Sequence, residues 1–232
     1  MEVYFDNSAT TRPYTEVVSS MADTMKNYYG NPSSAYSLGL KAELKMNDSR
    51  NTIANTLNCD GDEIVFTSGG SESNNFLIRG FAKPGNEIIT TKIEHPSVLN
   101  TCRALEKCGV KVTYLDVDSS GRIDIDQLEK NINKQTQLVS IMHTNNEIGT
   151  VQYIEDIGKL IKEKSGRIKF HVDAVQAYGK YDIDVKKMHI DLLSVSGHKI
   201  HGPRGIGIAY VRKGLKPRPL IYGGGQEKGL RS

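Results

Sequence analysis

Cysteine is scarce in this chain of 232 residues: Cys59, Cys102 and Cys108 are the whole set. An odd and sparse set excludes a disulfide framework. Cys102 and Cys108 lie six apart on an expected helix, where they do not face each other. Ordinary structural or surface thiols are therefore expected. No Cys/His pair has zinc spacing, so no metal site is expected. Charge of one sign is lacking too. The net charge is +3 and the basic residues are scattered rather than striped, which argues against nucleic acid as a partner. No apolar run approaches the roughly 20 residues of a membrane span. The start, Met1-Glu2-Val3-Tyr4-Phe5-Asp6, has no cationic region of the kind that opens a signal peptide, and the expected compartment is the cytoplasm. Internal repeats, low-complexity tracts and charge blocks are absent.

What is present is an ordinary globular composition, 38% hydrophobic and 25% charged, in a length that suits one large domain or a domain plus an appendage. Short β-rich runs alternate with longer amphipathic ones. Strands are expected over 63–67, 87–91, 111–115, 137–142, 169–172, 192–196 and 206–211. Helices are expected over 42–57, 74–82, 96–107, 125–132 and 153–163. Such alternation implies crossover connections and a mainly parallel sheet sandwiched by helices, an α/β fold. Several strands are almost continuously apolar, as strands covered on both faces should be.

The chemically interesting residues fall at the C-terminal ends of these strands, where open α/β sheets bind ligands. Lys199 ends the run Leu192 to Lys199, and 26 positions earlier Asp173 ends Lys169 to Asp173. A lysine and a buried carboxylate are what a pyridoxal phosphate (PLP) enzyme needs. The amine forms a Schiff base with the cofactor aldehyde, and the carboxylate keeps a proton on the pyridine nitrogen. A lysine at a desolvated strand end also has a depressed pKa, which makes it nucleophilic. The plainer alternatives are a solvated lysine at a strand terminus and a carboxylate in a salt bridge or helix cap.

Other loops fit the same cofactor. Gly69, Gly70 and Ser71 lie between a strand and a helix and can cradle a phosphate through backbone N–H groups, or simply cap the helix. His95 can stack on a ring and move protons, or merely precede a helix-starting proline. Asn146 follows another strand and can donate to a ring hydroxyl, or form a polar turn. Gln176 can reach the same cofactor edge, and Ser196, Gly197 and His198 lead into Lys199 as phosphate donors. The glycines at 202, 205 and 207 do not match a dinucleotide fingerprint.

These residues, with Asp6-Asn7-Ser8-Ala9-Thr10-Thr11, Gly30-Asn31-Pro32-Ser33-Ser34, Glu72-Ser73-Asn74, Asn145 to Gly149 and Gly223 to Glu227, resemble the signature segments of cysteine desulfurases of the NifS/IscS type. Those are fold-type-I PLP enzymes of the class V aminotransferase group, and the resemblance runs in order through essentially the whole chain. It implies that Lys199 and His95 are catalytic: Lys199 as cofactor lysine and proton shuttle, His95 stacked on the ring. Gly70, Ser71, Ser196, Gly197 and His198 would hold the phosphate, Asp173 the pyridine nitrogen, and Gln176 and Asn146 the ring hydroxyl or the substrate. The implied activity converts L-cysteine to L-alanine and passes sulfur through a cysteine persulfide to an iron–sulfur scaffold or other acceptor protein, in a homodimer.

The resemblance also implies that the nucleophilic cysteine loop, the substrate-gripping arginine and most of a small domain lie outside 1–232. Residues 1–15 would pack on that small domain, and 16–232 would form the PLP-binding large domain. The chain by itself would then be inactive. Ser71 stands where the family commonly has threonine, and Tyr36 where it usually has histidine. Two further functions stay open: a non-catalytic module that pairs with a full-length relative or scaffold, and a selenocysteine lyase or other class V aminotransferase.

Overall fold

The computed structural model describes Met1 and residues 3–232. Seven strands form one sheet in the order β1-β7-β6-β5-β4-β2-β3. They are β1 (Ile64–Thr67), β2 (Glu87–Thr91), β3 (Lys111–Leu115), β4 (Thr136–Met142), β5 (Lys169–Asp173), β6 (Leu192–Ser196) and β7 (Gly207–Val211). Strands β3, β2, β4, β5 and β6 pair in parallel, while β7 runs antiparallel to both of its neighbours. The sheet is thus mainly parallel, and β1 ends at the same edge as β2, β4, β5 and β6.

Alternate side chains supply two cores. Phe170, Val172, Leu193 and Val195 pack on one face with α5 (Ile125–Asn131) and α6 (Ile154–Lys164). Val65, Ile88, Leu138, Leu192 and Ala209 pack on the other with α3 (Gly70–Phe81) and α4 (Pro96–Glu106). The helix after β2 therefore covers one face and the helix after β4 the other. Since β2 and β4 are neighbours, the loops that follow them part company and leave a crevice, the switch point of an open α/β sheet.

Several expected bounds shift. Helix α3 starts at Gly70, not Asn74, so the glycine–serine segment forms its first turn rather than a preceding loop. Polar Gly-Ser-Glu-Ser has no helical periodicity, which hides that turn from a sequence reading. Glu63 lies in a short 3-10 turn, because Asp60 and Glu63 form a reciprocal capping box there. Helix α2 begins at Ser37 and ends at Thr56. Helix α1 (Thr15–Asn27) was not expected. None of its residues is buried, so no core-facing stripe marks it. Cys108 lies past the end of α4 and is exposed, whereas Cys102 is fully buried.

Candidate functional site

A cavity of about 470 Å³ opens at the C-terminal edge of the sheet. Of the residues singled out from the sequence, Gly70, Ser71, His95, Asn146, Asp173, Gln176, Ser196, His198 and Lys199 line it. Gly197 does not. It packs behind the wall, where a Cβ would strike Ile206 Cγ2 at 2.7 Å. The sequence reading gave no site role to Asn74, Ser97 or the N-terminal residues Asp6, Ser8 and Ala9, which also reach the cavity.

The turn after β1 delivers the N-terminus of α3. Gly69 adopts φ 154°, open essentially to glycine, and Gly207 sits so close that a Cβ there would lie 2.5 Å from the Gly69 Cα. This contact between two glycines seats the first turn of α3 against β7. Free N–H groups at that helix end favour an anion, and the Ser71, Ser196 and His198 side chains stand beside the same cavity. Burial, reinforced by the charges of Lys199 and Arg204, lowers the pKa of His198.

Asp173 ends β5 and is 4% exposed. Its Oδ1 accepts from the Val175 N–H (3.0 Å) and its Oδ2 from Asn74 Nδ2 (2.8 Å). Burial raises its pKa, and those two bonds with the nearby charges of His95 and Lys199 oppose the rise. A buried carboxylate with only neutral donors attached is incompletely compensated.

Lys199 follows β6 in a short 3-10 turn. Its Nζ donates to the Ala9 carbonyl (2.8 Å) and to that of Ser8. Desolvation first, then the charge of Lys180, lowers its pKa. Ser8 also accepts from Gln176 Nε2 at 2.8 Å. Further along the same segment, Thr11 bonds the His198 carbonyl through both N–H and hydroxyl, at 2.8 and 2.9 Å. The Tyr14 ring stacks on His201. Residues 8–14 therefore lie along 198–201 and close one side of the cavity.

His95 caps α4: its Nδ1 accepts from the Ser97 N–H at 3.1 Å. Asn145 forms a buried turn, its Oδ1 accepting from the N–H groups of Glu147 and Ile148, and this turn presents Asn146 to the cavity. Glu94, 3% exposed, accepts from the Met142 N–H (2.9 Å) and Thr91 hydroxyl (2.8 Å) through Oε1. That contact ties the loop carrying His95 to the end of β4. No described cysteine lines the cavity. Among the described residues there is also no cluster of three or more His, Cys, Asp or Glu side chains able to hold a metal, and no helix long and apolar enough to cross a membrane.

An α/β sheet with a lysine, a buried aspartate and a helix N-terminus at one edge defines a class of enzyme rather than one reaction. The chain belongs to the class-V aminotransferase family, whose profile matches residues 3–230. Within that family the chain is similar to cysteine desulfurases. The cysteine desulfurase IscS of Clostridium botulinum is 50% identical over 235 residues, which cover all of this chain and 59% of that protein. The cysteine desulfurase of a Nostoc species is 49% identical over 99% of this chain and 58% of its own length. Among solved structures, a NifS-like protein superposes with a TM-score of 0.96 at 47% identity, covering 100% of this chain and 65% of that one. SspA in complex with cysteine superposes at 0.95 with 47% identity, covering 99% and 67%. The chain thus spans about three-fifths of the length of the curated relatives it matches.

Proposed function

We propose that residues 1–232 carry the pyridoxal-phosphate site of a cysteine desulfurase that acts on L-cysteine and delivers its sulfur to an acceptor protein. The observation that carries this reading is the meeting of the Lys199 amine and the buried Asp173 carboxylate at one cavity beside the α3 N-terminus. The donor set suits the cofactor. Gly70, Ser71, Ser196 and His198 offer neutral donors and a helix dipole to a phosphate. Asp173 lacks a cationic hydrogen-bond donor, which a pyridinium N–H would supply. Asn74 Oδ1, buried in the cavity wall, has no partner among the described residues. When bound, the cofactor would be attached through Lys199 and would draw electrons from the substrate carbon.

The chain's own groups have defined tasks in this reading. Desolvation, which lowers the pKa of Lys199, favours the neutral amine at Nζ, the form fit to bond an aldehyde and later to take and return a proton. Asp173 holds a proton at the ring nitrogen. His95, with Nδ1 engaged as an acceptor, has Nε2–H left to donate. Asn146 and Gln176 orient the ring hydroxyl or the substrate. Cys59 and Cys102 are buried, and burial raises the pKa of each thiol to about 12, so neither is a sulfur-accepting nucleophile, and the exposed Cys108 lies past the far end of α4 and does not line the cavity. The sulfur acceptor in this reading comes from outside 1–232, and the working assembly is a cytoplasmic homodimer.

The test is to mix the chain with PLP, reduce with borohydride and map the modified peptide. Labelling at Lys199, lost in Lys199→Ala, is expected. Adding L-cysteine should give no persulfide at Cys59, Cys102 or Cys108, and persulfide should form only when a polypeptide that can place a cysteine at the cavity is supplied. Diffuse labelling of surface lysines would overturn the reading.

A further inference from the structure

Two groups of the cavity, the Asp173 carboxylate and the His95 imidazole, are joined by a hydrogen-bonded chain that runs through one buried amide. Asn74 lies in the second turn of α3 and is 1% exposed. Its Nδ2 donates to Asp173 Oδ2 at 2.8 Å and to Ser97 Oγ at 2.9 Å. Ser97 Oγ in turn stands 2.8 Å from His95 Nδ1.

The direction of every bond follows from charge. Turning the Asn74 amide over would set its carbonyl oxygen against the Asp173 carboxylate, so the nitrogen must face Asp173 while that group is ionised. The same nitrogen has a second hydrogen, and Ser97 Oγ accepts it. The Ser97 hydroxyl then has its own proton to give, and His95 Nδ1 is within reach. Nδ1 also accepts from the Ser97 N–H. Both bonds require a lone pair at Nδ1, which puts the imidazole proton on Nε2.

We propose that Asn74 is a positioning residue: it divides its two amide hydrogens between Asp173 and Ser97, and so couples the charge on the carboxylate to the tautomer and ring orientation of His95. The proposal rests on reading Asp173 and His95 as cofactor contacts. In that setting one side chain of the cavity wall prepares both the group at the ring nitrogen and the group over the ring face. Asn74 Oδ1, with no partner among the described residues, marks the same point of the wall as a place for a further donor.

The charged and titratable groups around Asp173 are few. His95 faces it from the cap of α4 and Lys199 from the turn after β6. Glu94, from the loop that carries His95, interacts with Asp173 as a like charge and is raised to about 8 mainly by burial, so it is neutral over most of the range. His171, on β5 itself, is bonded to the Ser140 and Ser194 hydroxyls and stays neutral, its pKa depressed to about 3 by burial.

The experiment is a pH titration of the cofactor-free chain by NMR, with 13C-labelled aspartate carboxyls and 15N-labelled histidine rings. The wild type is expected to show His95 as the Nε2–H tautomer. Asn74→Ala should move the Asp173 midpoint upward by about one pH unit, the size of a lost charge-assisted hydrogen bond, and should mix the His95 tautomers. Ser97→Ala removes only the second link, so it should alter the His95 nitrogens and leave the Asp173 midpoint in place. It opens no large cavity and keeps the test available if Asn74→Ala fails to fold. An unmoved Asp173 midpoint in Asn74→Ala, or unchanged His95 nitrogens in Ser97→Ala, would overturn the proposal. Because no cofactor is present, failure here leaves the borohydride result standing, and failure there leaves this one.

Discussion

Glu94 shows how a single buried residue shapes the site without touching a ligand. Its carboxyl is pushed up to about 8 by burial, against the hydrogen bonds from Met142 N–H and the Thr91 hydroxyl. The folded protein therefore keeps a proton on Glu94 that the unfolded chain loses near the ordinary value of 4.5. With more protons bound in the folded state between about 4.5 and 8, stability contributed at this residue is fully present at acid pH and falls as pH rises through that window. Glu94→Gln removes the dependence. The variant should gain roughly 3 kcal/mol relative to wild type between pH 5 and pH 8. Urea titrations of both proteins at the two pH values check this, and a constant difference between them would refute it. The comparison across pH cancels any fixed effect of placing an amide where Oε2 now lies.

At the scale of elements, β1 is an edge strand, paired only with β7. Exposed edges invite pairing with other chains, and here two arginine–glutamate pairs cover it. Glu227 accepts from the outward N–H of Phe66 (2.8 Å) while gripping Arg50 with both carboxylate oxygens, at 2.8 and 2.9 Å. Arg50 itself donates to the Ile64 carbonyl and lies over the Phe66 ring. Two residues on, Glu72 accepts from the Ser68 N–H and pairs with Arg231. The Arg50 and Glu227 side chains are only 8% and 10% exposed. Glu227→Ala leaves a buried guanidinium and a bare strand edge, and should cost roughly 3 kcal/mol. Chemical denaturation measures that loss. Light scattering of Glu227→Ala should also show more self-association than wild type, since the Phe66 N–H is freed.

Across the whole molecule, apolar surface is unevenly spread. Helix α1 buries none of its residues and shows Val18, Met21 and Met25 to solvent. Tyr29, Tyr36, Leu40 and Leu44 extend the apolar exposure into the segment after α1 and the first half of α2. Apolar exposure on this scale favours association. Size-exclusion chromatography with light scattering should find a dimer or larger species at micromolar concentration. Val18→Glu with Met25→Glu should shift it toward monomer and leave Lys199 labelling intact. A clean wild-type monomer would refute the expectation.

Local pattern alone determined the strands from 87 to 91, 111 to 115 and 192 to 196, because their apolar runs are bounded by turns and have one periodicity. It also determined that Lys199 and Asp173 stand at strand ends, and the order of the motifs made the family legible. Tertiary structure decided what no periodicity encodes. Helix α1 carries no buried stripe and was invisible. Asn74 and Ser97 are ordinary helix residues until α3 and α4 bring their polar atoms together over β5. The carbonyls of Ser8 and Ala9 meet Lys199 some 190 residues along the chain. The antiparallel insertion of β7 between β1 and β6 depends on the close glycine contact of Gly69 and Gly207. Side-chain periodicity reports which face a residue turns inward. It carries no record of which distant donor waits there, and that pairing sets the protonation states on which the site depends.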